Sequence, residues 1–173
     1  MSASGAADTY YRAMEGAWHG RLTTTIDALA LAATQLGALD RLAWKATAHA
    51  PAWLETRVQV LPGRVVLHGT RLRSFGLPVA WGTERIVLGD DGRSFSMHGE
   101  HRLAWVPWRR QIVEGPGEVR EDVAGASYAF DYLGARVTQI TEREADGVLR
   151  VTQTTAFSKS EVLLVRQAPK RSG

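Results

Sequence analysis

The sequence has no cysteine. Disulfides, thiolate metal ligands and a cysteine nucleophile are therefore excluded. It also lacks a long apolar run. The longest, Ala28 to Ala33, is far short of the ~20 residues a membrane-spanning helix needs. The start, Met1 to Thr9, is small and polar, without the basic head and apolar centre of a secretory signal. These absences lead to the expectation of a cytoplasmic protein with no membrane association. Lysine is scarce: 18 of the 21 basic residues are arginine, as in proteins from GC-rich bacterial genomes. The net charge of +3 and pI of 9.6 are not organised into a basic stripe. The densest clusters, Arg109–Arg110 and Lys170–Arg171, have no aromatics interleaved, so no nucleic-acid partner is expected.

Several catalytic signatures are missing too. Gly115-Pro116-Gly117 reads as a turn rather than a phosphate loop, because proline removes an amide donor and no helix follows. There is no His-x-x-x-His or His-Glu-x-x-His pattern, and no nucleophile elbow. In His98-Gly99-Glu100-His101 the two histidines point to opposite faces of a strand. His98 and Glu100 share the solvent face, but two ligands are too few for zinc. The expectation is no metal and no cofactor.

What is present is a series of short alternating runs. One domain of 173 residues is long enough to bury a core unaided. Residues 1–9 read as disordered, 10–167 as the folded domain and 168–173 as a flexible tail. Tyr10 to Glu15 suits a short helix, and Gly16 to Ile26 a first strand. Asp27 is an N-cap for a helical segment, Ala28 to Leu42, which Gly37 weakens enough to allow two pieces. Strand patterns follow at Trp44–Ala50, Leu54–Leu61, Val65–Leu72, Val79–Leu88, Ser94–Leu103, Arg110–Glu114, Glu118–Val123, Ser127–Leu133, Arg136–Glu142, Val148–Phe157 and Glu161–Arg166. Turn residues separate them: Pro62-Gly63, Asp90-Asp91-Gly92, Gly115-Pro116-Gly117, Gly134 and Asp146-Gly147. Regular spacing of this kind predicts an all-β fold: an up-and-down antiparallel barrel of about 8–10 strands, with a short helical segment after the first. Closure removes the exposed edges a long meander would leave.

The first strand opens on Gly16-Ala17-Trp18-His19-Gly20, and the last ends on Val162-Leu163-Leu164-Val165-Arg166. A Gly-x-Trp at the first strand with an arginine at the last resembles the calycin superfamily: lipocalins, fatty-acid-binding proteins and nitrobindin-like barrels. The resemblance implies that Trp18 seals one end of the cavity and that Arg166 lies over its indole. Such a cation–π contact is worth roughly 0.5–2 kcal/mol. It also implies that the helix after the first strand acts as a lid. Lipocalin cysteines are absent. The tail beyond Arg166 has no histidine, so the haem-ligating pattern of nitrobindin-like proteins is missing.

Alternation assigns the lining. Trp44, Ala46 and Ala48 fall in one phase; Leu54, Thr56, Val58 and Val60 in another; then Phe95, Met97, His101 and Leu103; Tyr128, Phe130 and Tyr132; and Leu149, Val151, Gln153, Thr155 and Phe157. In Val79–Leu88 two phases are open. Trp81, Thr83 and Arg85 point inward, or Gly82, Glu84, Ile86 and Leu88 do. Arg85 inside would suit a carboxylate-bearing ligand. Glu84 inside would be a candidate base, its pKa raised by burial. Trp105, Pro107 and Trp108 sit in an expected loop beside Arg109–Arg110, as a cavity rim, a dimer contact or a partly buried segment.

The expected ligand-binding set is Trp44, Val58, Trp81, Arg85, Phe95, Met97, His101, Tyr128, Phe130, Tyr132, Gln153 and Thr155. Mainly apolar walls with a few polar groups suit a small-molecule pocket. The first functional expectation is a monomeric or homodimeric carrier that holds a small apolar or amphipathic molecule. The alternative is a cofactor-independent cyclase or isomerase for a polyketide- or polyene-like substrate, with Tyr128, Tyr132, His101 and Glu84 as catalytic candidates. A third possibility is a structural barrel with a filled interior.

Overall fold

The computed structural model of the chain describes residues 5–168. The elements run α1 (Ala6–Met14), β1 (Gly16–Ile26), α2 (Ala28–Ala32), α3 (Ala38–His49), β2 (Ala52–Leu61), β3 (Val65–Ser74), β4 (Leu77–Leu88), β5 (Ser94–Leu103), β6 (Val106–Val119), β7 (Gly125–Tyr132), β8 (Ala135–Ala145), β9 (Val148–Thr154) and β10 (Ser158–Arg166). The ten strands follow one another around a closed antiparallel barrel, and β1 pairs with both β2 and β10. The up-and-down connections put alternate turns at opposite ends. Phe75-Gly76 and Leu133-Gly134 make two-residue reversals with both residues at positive φ, the geometry that follows the twist of the strands they join.

Each end is closed differently. Helix α1 enters the end where β1 begins and buries Ala7, Tyr10 and Tyr11, spaced to lie on one helical face. The Ala7 amide donates to Gly92 O in the β4–β5 turn at 2.8 Å, which seats the helix N-terminus. Its C-terminus is held by the β1–β10 seam. Trp18 Nε1 donates to Met14 O at 2.8 Å, and Arg166 donates to Ala13 O. The Arg166 guanidinium lies 4.6 Å from the centre of the Trp18 ring, and the two residues are register partners. Gly20 allows β1 and β10 to approach, since a Cβ there would lie 2.0 Å from Leu163 O.

At the other end, α2 and α3 cross from β1 to β2. Asp27 caps α2 by accepting from the Leu29 and Ala30 amides, both at 2.9 Å. Gly37 is the N-cap of α3, so the helical segment is in two pieces. The strand expected at Trp44–Ala50 is instead the second half of α3. Alanine has the highest helix propensity, and the burial of consecutive Ala43 and Trp44 with Ala46 exposed breaks the alternation expected of a strand. Arg109 anchors α3 through a bidentate pair with Asp40 at 2.7 and 3.2 Å.

Three further expectations change. The first helix starts at Ala6, so Ala6–Thr9, expected to lack structure, form its first turns. Residues 1–4 and the tail from Pro169 lie outside the described residues. The run Arg110–Glu114 and the first two residues of Glu118–Val123 belong to one strand, β6, which passes straight through Gly115-Pro116-Gly117, while Arg120–Val123 lie in the turn before β7. These glycines serve close packing rather than reversal: a Cβ on Gly115 would lie 1.9 Å from Ala129 O, and one on Gly117 2.2 Å from the Phe95 ring. The β6–β7 register covers only Gly117–Val119, so the ladder to β7 stops beside Pro116, which has no amide to donate.

The latch between Trp18, Arg166 and α1 gives a stability prediction. Trp18→Ala should cost about 3–5 kcal/mol through lost burial. Arg166→Ala should cost about 1–2 kcal/mol through the lost indole and carbonyl contacts. Urea unfolding measures both. Losses below about 0.5 kcal/mol, the range of ordinary surface substitutions, would show that the latch does not hold the barrel closed.

Candidate functional site

Helix α1 divides the interior. In its half, Val58, Val66, Ile86, Leu88, Phe95, Met97, Val113 and Val119 are buried in one apolar cluster with Tyr10 and Tyr11. Val58, Phe95 and Met97, expected to line the pocket, therefore pack against the plug and do not border the main cavity. A file of rings runs from the plug toward the open half. Tyr11 meets Phe95 at 5.5 Å, Phe95 meets Tyr128 at 6.0 Å, and Tyr128 stacks on Phe130 at 5.5 Å.

The half nearer α2 and α3 keeps a cavity of about 180 Å³. Leu22, Leu54, Val151, Val162 and Leu164 form its aliphatic wall, and Trp44, Tyr128, Phe130 and Tyr132 its aromatic one. Trp44 enters from α3, with Phe157 at 5.2 Å and Tyr132 at 6.2 Å, both edge to face. Trp81 and Trp105, 38% and 46% exposed, mark the mouth at the β4 strand and the β5–β6 turn. Trp105 is thus a rim residue in a tight turn, while Pro107 and Trp108 belong to β6 rather than to a loop.

The polar centre of the cavity is a carboxylate between two imidazoles. Glu84 lies in the inward phase of β4 with Gly82, Ile86 and Leu88, and is 5% exposed. His68 from β3 sits 2.6 Å from Glu84 Oε2 through Nδ1, and His101 from β5 sits 2.7 Å from Oε1 through Nε2. Two glycines make the room. Glu84 faces Gly99, where a Cβ would lie 2.7 Å from Glu84 Cγ; His101 faces Gly82, where a Cβ would lie 2.2 Å from its ring.

The charge state of Glu84 reverses the expectation of a raised pKa. Burial does push it up, but His68 and His101 outweigh burial by charge and hydrogen bonding and hold it at about 2. An ionised carboxylate only accepts, so both facing ring nitrogens carry protons. On the far side of His68, Thr56 Oγ1 lies 2.5 Å from Nε2 and 3.0 Å from Gly69 O. Thr56 has one proton to give. Given to Gly69 O, it leaves its oxygen accepting from a doubly protonated His68; given to Nε2, it fixes the neutral tautomer. The His101 ring edge carrying Nδ1 faces away from Gly82, and Tyr132 lies 5.7 Å from the ring centre.

A second polar strip crosses β8, β9, β10 and β1. Gln153 Nε2 donates to Gln139 Oε1 at 2.6 Å, and the Thr24 and Ser160 hydroxyls are 2.9 Å apart. The phenols are neutral. Burial raises Tyr132 to about 12, and burial, with the nearby Glu84 charge, raises Tyr128 well above its usual value.

Of the expected binding residues, Trp44, Trp81, His101, Tyr128, Phe130, Tyr132 and Gln153 border the cavity. Arg85 does not: it lies in the outward phase of β4 and is exposed, because Glu84, Ile86 and Leu88 take the inner face. Thr155 is a turn residue beyond β9, its hydroxyl accepting from the Phe157 and Ser158 amides at 3.2 and 2.9 Å. His68, Gln139, Thr141 and Ser160 were not foreseen. His68 shares its phase with buried Val66, but the opposite phase of β3 also holds apolar residues, Val65 and Leu67.

No protein-family model matches the chain, and no curated protein matches it in sequence. Solved structures do. The chain is similar to an S-type phycobiliprotein lyase from Guillardia theta, with a TM-score of 0.60 and 10% identity over 94% of this chain and 93% of that one. It is also similar to the REP1-NXSQ fatty acid transporter, with a TM-score of 0.51 and 7% identity over 91% of this chain and 98% of that one. The chain has a calycin-like fold. At these identities the likeness concerns the fold alone.

The Glu84 environment makes a pH prediction. Its pKa falls from 4.5 to about 2 on folding, so the stabilisation it gives is full above pH 4.5 and is lost as pH drops toward 2. Glu84→Gln should cost about 3 kcal/mol near pH 6, with the gap to the unsubstituted protein closing below pH 4.5. Urea midpoints across pH measure it. A gap that is constant with pH would show that Glu84 is not ionised in the folded protein.

Proposed function

We propose that the protein binds a small amphipathic molecule in the open half of the barrel. One observation carries this: a cavity of about 180 Å³ persists beneath α3 although α1 fills the other half. An interior built only for stability would be packed throughout, because each void forfeits dispersion contacts. The polar groups gather in two places within apolar walls, as in sites that orient a ligand. The volume bounds the ligand. An apolar cavity of about 150 Å³ holds benzene, whereas drug-sized ligands occupy roughly 300–1,000 Å³. A ligand of one or two rings fits; a long polyene would have to extend through the mouth between Trp81 and Trp105. Carriage in a cytoplasmic, bacterial setting remains part of this proposal.

Uptake of Prodan, a neutral two-ring dye, should give an enhanced, blue-shifted emission that small apolar molecules displace. Val151→Phe, which projects bulk into the cavity, should reduce dye affinity at least tenfold without lowering the melting temperature. Uptake unaffected by that substitution would place the dye elsewhere and remove the support for a cavity ligand.

The His101–Glu84 pair favours a second reading, a cofactor-independent isomerase. In its neutral form His101, with the Nε2 proton held by Glu84, has the Nδ1 lone pair available as a proton acceptor. Moving a proton from one carbon of a bound ketone to another through Nδ1 balances without an oxidant or a metal. Such a protein should exchange the α-protons of a small cyclic ketone for solvent deuterium, followed by NMR. His101→Phe should abolish that exchange. Exchange at the rate of buffer alone would leave only the binding role.

A further inference from the structure

We propose that the cavity selects against anions, so that the buried end of its ligand is an alcohol, an amide or an amine and not a carboxylate. The inference rests on the binding role above and specifies the chemical class of ligand.

Among the described residues, the side chains bordering the cavity include no lysine, arginine or aspartate, and Glu84 is the one acidic group among them. Arg85, next to Glu84 on β4, is turned to the outside. The remaining titratable groups in the wall are His68, His101, Tyr128 and Tyr132. The phenols face the interior as neutral groups that donate or accept hydrogen bonds. Each imidazole already gives an N–H to Glu84, at 2.6 and 2.7 Å, so one protonated ring is neutralised by that carboxylate and, with both rings neutral, Glu84 leaves the cavity negative. Among the described lining residues no lysine or arginine stands ready to receive an anionic head group, and burying a carboxylate without a cation is strongly unfavourable.

The rest of the lining suits uncharged or cationic heads. The Gln139–Gln153 amides and the Thr24–Ser160 hydroxyl pair can each donate and accept further bonds. Trp44, Trp81, Trp105 and Tyr132 add aromatic rings to the lining, and aromatic rings attract ammonium groups as well as apolar ones. A second negative charge brought near Glu84 should cost roughly 10- to 100-fold in affinity.

Three probes on one skeleton test this by calorimetry at pH 8: 3-phenylpropanol, 3-phenylpropylamine and 3-phenylpropanoate. The alcohol and amine should bind, with the carboxylate at least tenfold weaker. Glu84→Gln, checked for folding by thermal melting, should narrow the alcohol-to-carboxylate ratio at least threefold. On the unsubstituted protein alone, carboxylate affinity equal to or above that of the alcohol overturns the anion-exclusion proposal while leaving the binding role intact. If none of the three binds and Prodan is also excluded, the binding role itself fails and this inference falls with it. An unchanged ratio in a folded Glu84→Gln protein overturns the role given to Glu84.

Discussion

The barrel depends on how α1 is tied to the β1–β10 seam. A helix inserted into a barrel leaves carbonyls at its C-terminus that must find donors. Here Trp18 and Arg166 supply them, at Met14 O and Ala13 O, while stacking on each other. One cluster thus closes the sheet, caps the helix and fixes its depth. The depth of α1 decides how much of the interior is filled. The cavity is the volume that α1 does not reach and that Trp44 of α3 only partly roofs.

Within that volume, charge is arranged economically. A lone buried carboxylate would take up a proton, and a lone imidazole in the same wall would favour its neutral form. Together, His68, Glu84 and His101 keep Glu84 ionised and present the cavity with few unsatisfied groups. The glycines opposite them, Gly99 and Gly82, are part of the same arrangement. A side chain at either position would occupy the space of Glu84 or of the His101 ring. A fold of this kind leaves the wall chemistry free to vary, and the described residues of this wall include no arginine or lysine.

Much of the barrel was legible because strand alternation and turn residues are local. Gly16-Ala17-Trp18 and Arg166 also pointed to each other across the length of the chain, and they meet as expected. The failures share one cause. Trp44, Ala46 and Ala48 alternate, but alanine favours a helix over a strand, and α3 buries consecutive Ala43 and Trp44 against the barrel. Gly115-Pro116-Gly117 has turn composition, yet its glycines answer to Ala129 and Phe95, which no local pattern reveals. The phase of β4 was undecidable in isolation because both faces carry large residues. Cross-strand register resolves it, pairing Glu84 with Gly99 and Gly82 with His101, and His68 becomes visible as a partner through the same register.

The pairing of β1 with β10 has a kinetic consequence. Every other ladder in the barrel joins strands adjacent in the chain, whereas this one joins the first to the last. Loop-closure entropy for that contact is the largest in the molecule, and it is repaid only when the other ladders already hold the two edges near each other. The open meander that precedes closure exposes two strand edges and the apolar inner face at once. Gly20, with no side chain to clear, lets the edges meet at backbone distance. The hollow interior is therefore the last feature of the molecule to form, and until it does the same surfaces are available to another copy of the chain.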